Sequence, residues 1–202
     1  MAFVALRYAE LATRWPHLVS GMTSSAILTS ADMFCQGIIQ QPGPEGLDYR
    51  RTAGLASFGL LWYGGPCKWL YLCMDRWLGA KATFQNVAAK TFVDVFLHTP
   101  FGVVPGFYFV TGAFKGDSLA QTREQLKSEW MQASMGSSMF WTPAQIGNFW
   151  LVPQHYKIAY ISVLSFFHKT WLSFLSNKER YAATLPATPL SSLAVAADGL
   201  TL

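Results

Sequence analysis

Trp141-Thr142-Pro143-Ala144-Gln145-Ile146-Gly147-Asn148-Phe149-Trp150-Leu151-Val152-Pro153-Gln154-His155-Tyr156 leads into Lys157, the first formal charge after Glu129. Gln145 and Asn148 are three residues apart and so share one face of a helix. Each proline lacks a backbone donor and tends to kink or end a helix, so Pro143 and Pro153 are expected to break the stretch. A charge-free, aromatic-rich segment studded with amides fits poorly in a soluble core. It fits a bilayer, where neighbouring helices and polar side chains re-satisfy the backbone groups that prolines release. The stretch therefore reads as part of an all-α, multi-span integral membrane protein.

Composition agrees. Of 202 residues, 51% are hydrophobic and 13% charged, against about 25% charged in a soluble domain. Mean hydropathy is +0.23, held down by Gly, Ser and Thr, small residues that let membrane helices approach closely. Trp62, Trp69, Trp77, Trp130 and Trp171 are read as anchors at the membrane–water interface. The formal charge of +4 is spread along the chain with no basic cluster and no nucleic-acid motif, so nucleic-acid binding is not expected. Cys35, Cys67 and Cys73 have neither metal-ligand spacing nor an even disulfide count, and read as reduced, buried thiols.

Three parts follow along the chain. Residues 1–17 hold Arg7, Arg14 and one acid, Glu10, in an amphipathic pattern ending at Trp15-Pro16. Residues 18–176 form the membrane-embedded bundle of about four spans, near 18–40, 52–74, 91–113 and 157–175. The second is interrupted by Lys68, with Gly64-Gly65-Pro66 read as a kink that permits close packing, and the third is broken by Pro100 and Pro105. A charge-mixed stretch at 115–130 reads as a surface helix, and 136–176 as a proline-broken last unit. Residues 177–202, rich in Ala, Ser, Thr and Pro, read as a disordered tail. Lys and Arg fall on both sets of loops in comparable number, so the positive-inside count leaves orientation open.

Ionisable groups at membrane depth are expensive unless they face a partner or water. Gly21, Ser25, Thr29, Asp32, Gln36 and Gln40 recur at helical spacing on the first span, and Lys90, Asp94 and His98 on the third. Asp32 and Asp94 are expected to point inward, toward Gln145, Asn148 and one or more of Lys68, Lys90 and His98. Two readings stay open for this interior. Either the stripes line a watery path for small hydrophilic solutes or ions, or they fix register in a dry bundle. No nucleophile elbow, paired-His zinc motif or other catalytic constellation is present. The chain is read as non-enzymatic, with no cofactor and no metal.

Trp141…Gln145-x-x-Asn148-Phe149-x-x-Val152-Pro153-x-x-Tyr156-Lys157 is similar to the C-terminal signature of the family of Mpv17 and the 22-kDa peroxisomal membrane protein. Tyr8-x-x-Leu11 with Pro16, Asp32 with Gln36, and Arg50 and Gly54 with Gly65-Pro66 add to the resemblance. So do Lys90 with Asp94 and Pro100, and Trp171-Leu172-Ser173. It covers roughly residues 8–175. The chain departs from the family pattern at Thr142, which stands between the tryptophan and its proline, at Val95 after the third-span aspartate, and at His168-Lys169. The resemblance implies a small multi-pass protein of the mitochondrial inner membrane or, alternatively, the peroxisomal membrane. The basic, acid-poor start favours the mitochondrion. Channel-like passage of small solutes is the implied function, supporting mitochondrial homeostasis. A non-conducting membrane scaffold or assembly protein is the alternative, and a homo-oligomer is compatible with either.

Overall fold

Proline and glycine placement divides the chain into helices. In the computed structural model, which describes residues 2–40 and 46–168, the regular elements are all helical, with no strand among the described residues. Helix α1, Ala2–Arg14, stops before Pro16. Pro16 opens α2, where its missing N–H would have no helical partner in any case. This helix runs Pro16–Phe34 and continues as a π-helical stretch, Cys35–Gln40. Helix α3 consists of Tyr49–Phe58, a π-helical stretch Gly59–Cys67 and Lys68–Trp77. Helix α4, Phe84–Lys115, contains the π-helical stretch Val93–Val103. Helix α5, Leu119–Leu151, has 33 residues, about 50 Å of rise. Helix α6 is Lys157–His168.

The starts follow local capping chemistry. Asp48 Oδ1 accepts from Arg51 N (2.9 Å) at the start of α3, and Thr83 Oγ1 from Asn86 N (3.3 Å) at that of α4. Ser118 and Gln121 form a reciprocal capping box at the start of α5. Gly116, at φ +90°, ends α4 in the left-handed conformation that glycine adopts without a Cβ clash.

The prolines act differently from one another. Pro66 follows a true kink, with Gly65 at φ −95° and ψ −105°. Pro153 follows the end of α5. Pro100 and Pro105 do not break α4: Pro100 lies in its π-widened stretch and Pro105 opens the α-helical remainder. Pro143 lies inside α5 without ending it. The charge-mixed stretch near 115–130 is accordingly no separate helix but the first half of α5. The proposed tail and the end of the last span lie outside the described residues.

Close crossings draw the bundle together. A Cβ on Gly64 would come within 2.8 Å of both Gly21 Cα and His17 O, so α2 and α3 cross backbone against backbone there. The kink leaves Gly64 O to accept a side-chain bond from His17 Nδ1 (2.6 Å). Helix α4 packs along α5 through its π-helical stretch and against the start of α3 through its last third. Leu28, Phe58, Tyr71, Val87, Phe149 and Ile158 meet in the core. Outward, α4 exposes Phe92, Phe96, Phe101, Phe109 and Phe114. Among the described residues α4 is the one helix long and apolar enough, by length and composition, to cross a membrane.

Candidate functional site

Buried polar side chains collect at three levels of the bundle. At the α2–α3 end, Asp32 is buried and both its oxygens are occupied. Oδ1 pairs with Arg51 Nη2 (2.8 Å), while Oδ2 accepts from Thr52 Oγ1 and Gln36 Nε2 (2.7 Å each). Gln36 Oε1 in turn accepts from Asp48 N (2.6 Å). Asp32 and Gln36 thus hold the start of α3. Asp32 was expected to face Gln145 and Asn148; it faces Arg51 instead, because the start of α3 packs against the end of α2.

The middle level lies where the π-helical stretch of α4 meets α5. Asp94 lies ten residues into α4, roughly 15 Å along its axis. Its Oδ1 accepts from His98 Nδ1 (2.9 Å), one turn on, and its Oδ2 from Gln145 Nε2 (2.5 Å). Gln145 Nε2 also donates to Tyr71 Oη (2.8 Å), and Gln145 Oε1 accepts from Asn148 Nδ2 (2.8 Å). One network therefore ties α3, α4 and α5 together.

Space adjoins this network. A cavity of about 60 Å³ is lined by Asp94, His98, Gln145, Tyr71, Cys67 and Ser137 among others. A second, of about 480 Å³, shares Tyr63, Val103, Val104, Ser137 and Trp141 with it, and reaches Phe107, Gln132 and Ser165. His98 Nε2 and Asn148 Oδ1 are buried with no hydrogen-bond partner among the described residues. His98 lines the smaller cavity, and an orphaned polar atom beside a cavity large enough for a water is the usual setting of buried solvent.

The third level is at the α3–α4 and α5–α6 turns. Lys90 pairs with Asp75 across the α3–α4 turn, not with Asp94 and His98 as the helical spacing suggested. Lys68 Nζ donates to Gln154 O (3.2 Å), and Lys157 Nζ lies 5.2 Å over the Phe149 ring.

Of the residues singled out from sequence, Asp94, His98, Gln145 and Asn148 come together, while Asp32, Gln36 and Lys90 lie elsewhere. Sequence reasoning missed Tyr71, which bears no motif, and misassigned Trp62 and Trp130. Trp62 stacks on His98 (centroids 6.1 Å apart, 11° between planes), and Trp130 Nε1 donates to Pro100 O (2.7 Å). Trp69 and Trp77 are exposed, as anchors would be.

With this geometry in place, comparison with known proteins is informative. The profile of the Mpv17 / PMP22 family matches residues 112–173, which include Gln145 and Asn148. The chain is 25% identical to the mitochondrial inner membrane protein Mpv17 of Danio rerio, over 88% of this chain and 99% of that protein. It is 24% identical to Protein SYM1 of Kluyveromyces lactis, over 84% of this chain and 88% of that protein. Against PXMP2/4 family protein 2 of Dictyostelium discoideum it is 24% identical, over 84% and 89%. No solved structure matches the chain.

Proposed function

We propose that this chain, which belongs to the Mpv17 / PMP22 family, passes small hydrophilic solutes or ions across the mitochondrial inner membrane. The membrane is the one named for its relatives in Danio rerio and Caenorhabditis briggsae; the PXMP2/4 name of another relative keeps the peroxisomal membrane as the alternative. Four crossings are assigned to α2, α3, α4 and the last unit, which pairs the charge-free half of α5 with α6. Its apolar stretches are punctuated by polar groups that turn toward one another rather than toward lipid.

The observation that carries passage is the middle level. Asp94 and His98 are held inside the bundle beside two adjoining cavities, with His98 Nε2 left over for solvent. A dry register-fixing network would satisfy Asp94 and stop there. The orphaned His98 Nε2 and Asn148 Oδ1 favour a hydrated one, since a buried polar group without a partner is destabilising. The scaffold alternative draws on the full satisfaction of Asp32 and Asp94 by protein groups. Purified protein in planar bilayers is expected to give discrete conductances whose ion selectivity changes in Asp94→Asn. Silent bilayers containing demonstrably folded protein would favour the scaffold.

A further inference from the structure

Lys68, Lys90 and Lys157 are 1%, 3% and 5% exposed, a burial almost never seen for lysine unless it is paired. They come from three helices. Lys68 follows the α3 kink, Lys90 is in the first third of α4, and Lys157 opens α6. Lys68 Nζ reaches the carbonyl of Gln154, three residues before Lys157, Lys90 is paired with Asp75, and the charges of Asp75, Lys90 and Lys68 are felt at Lys157. Asp75 is the one carboxylate among these groups, and Lys90 takes it. The two remaining ammonium groups have only a backbone carbonyl and an aromatic ring among the described residues. Lys157 also stands in the first turn of α6, the end of a helix that repels cations and attracts anions. Gln154, whose backbone carbonyl Lys68 reaches, lies in the α5–α6 turn, and both polar atoms of its side chain are buried without a partner among the described residues.

Two buried lysines without a carboxylate partner of their own, the first turn of α6 beside one of them and an unsatisfied amide in the adjoining turn suit an anion. We infer that Lys68 and Lys157, with the first turn of α6 and Gln154, bind a phosphate group. Ammonium groups serve as point charges for phosphate, and the helix N-terminus supplies oriented donors. The phosphate is borne either by a soluble solute or by a lipid headgroup reaching in at this end of the bundle. The site is separate from the Asp94 cavity and holds whether or not solutes cross there.

The test is thermal unfolding of the full chain in phosphatidylcholine nanodiscs, titrated with inorganic phosphate at constant ionic strength. A ligand that binds only the folded state raises the melting temperature. The rise is expected to saturate, and Lys68→Gln and Lys157→Gln should each weaken phosphate binding by about tenfold or more, as loss of a charge-assisted bond implies. Arg123→Gln, on the exposed face of α5, should leave it unchanged. A second arm omits phosphate and replaces part of the lipid with phosphatidic acid. A lysine-dependent rise in that arm alone assigns the phosphate to a headgroup and still supports the site. Gln154→Ala replaces any lysine variant that does not fold, and is expected to weaken the rise. No rise in either arm, or equal rises in wild type and variants, would overturn the inference. Melting reads binding without flux, so the outcome is independent of conduction.

Discussion

Gln145 Nε2 lies 2.5 Å from Asp94 Oδ2, joining α5 to α4 inside the bundle, where an unpaired carboxylate would be poorly tolerated. The same amide nitrogen reaches Tyr71 on α3, so one side chain satisfies groups on two other helices. Gln145→Leu removes all of this and strands the Asn148 amide as well. It is expected to lower stability by about 1–3 kcal/mol or somewhat more, because a charged acceptor loses a bond. Asn148→Leu should have the smaller effect. The double variant should be less than additive, since the two sites share a network. Thermal melting in detergent measures all three.

Arg51 and Asp32 form the pair that fixes the start of α3. Arg51→Met leaves a buried carboxylate with two neutral donors, a loss of about 1.5–3 kcal/mol. Asp32→Asn in the same background should recover part of it, because the stranded charge disappears. In bilayers Asp32→Asn should leave ion selectivity unchanged, in contrast to Asp94→Asn, as Asp32 sits in a closed set of protein contacts.

The α2–α3 crossing tolerates no side chain at Gly64, where a Cβ would meet backbone atoms at 2.8 Å. Gly64→Ala is expected to destabilise by about 1–3 kcal/mol through forced separation of the helices. Gly136, on α5, has nothing within 4 Å of its Cβ position, so Gly136→Ala should be neutral or stabilising by about 0.4–1 kcal/mol. Melting temperatures of the two variants should move apart.

Pro143 interrupts the hydrogen-bond ladder of α5 without ending the helix. Pro143→Ala restores a donor to the carbonyl one turn back and should raise stability, by up to about 3 kcal/mol. Pro153→Ala, at the α5–α6 turn, should change folding less than it changes conductance.

These contrasts mark what could be read from residues alone. Helical spacing placed Gln145 with Asn148 and Asp94 with His98 on shared faces, because i to i+3 and i to i+4 neighbours are set by helix geometry. It could not say which face meets which helix. Asp32 was therefore expected to face Gln145 and Asn148, and Lys90 to share a stripe with Asp94 and His98, whereas they meet Arg51 and Asp75. Helix-breaking by Pro100, Pro105 and Pro143 was overestimated for a related reason. A π-helical widening or tertiary packing can absorb a missing N–H, and neither leaves a local sequence mark. Tyr71 became part of the site only through the packing of α3 on α5. The Trp62–His98 stack likewise depends on α3 meeting α4, which no spacing within one helix reports.

The central claim is that water reaches the interior at the level of Asp94. The most direct measurement is thiol accessibility in liposomes, using single cysteines at Ser137 and Val103, which line both cavities, in a background where Cys35, Cys67 and Cys73 are Ser. A cysteine at exposed Phe96 on the outward face of α4 serves as the lipid-facing control. Labelling of positions 137 and 103 by a membrane-impermeant reagent, with position 96 protected, is the expected result. Uniform protection of all three in folded protein would mean a dry bundle and would contradict the account.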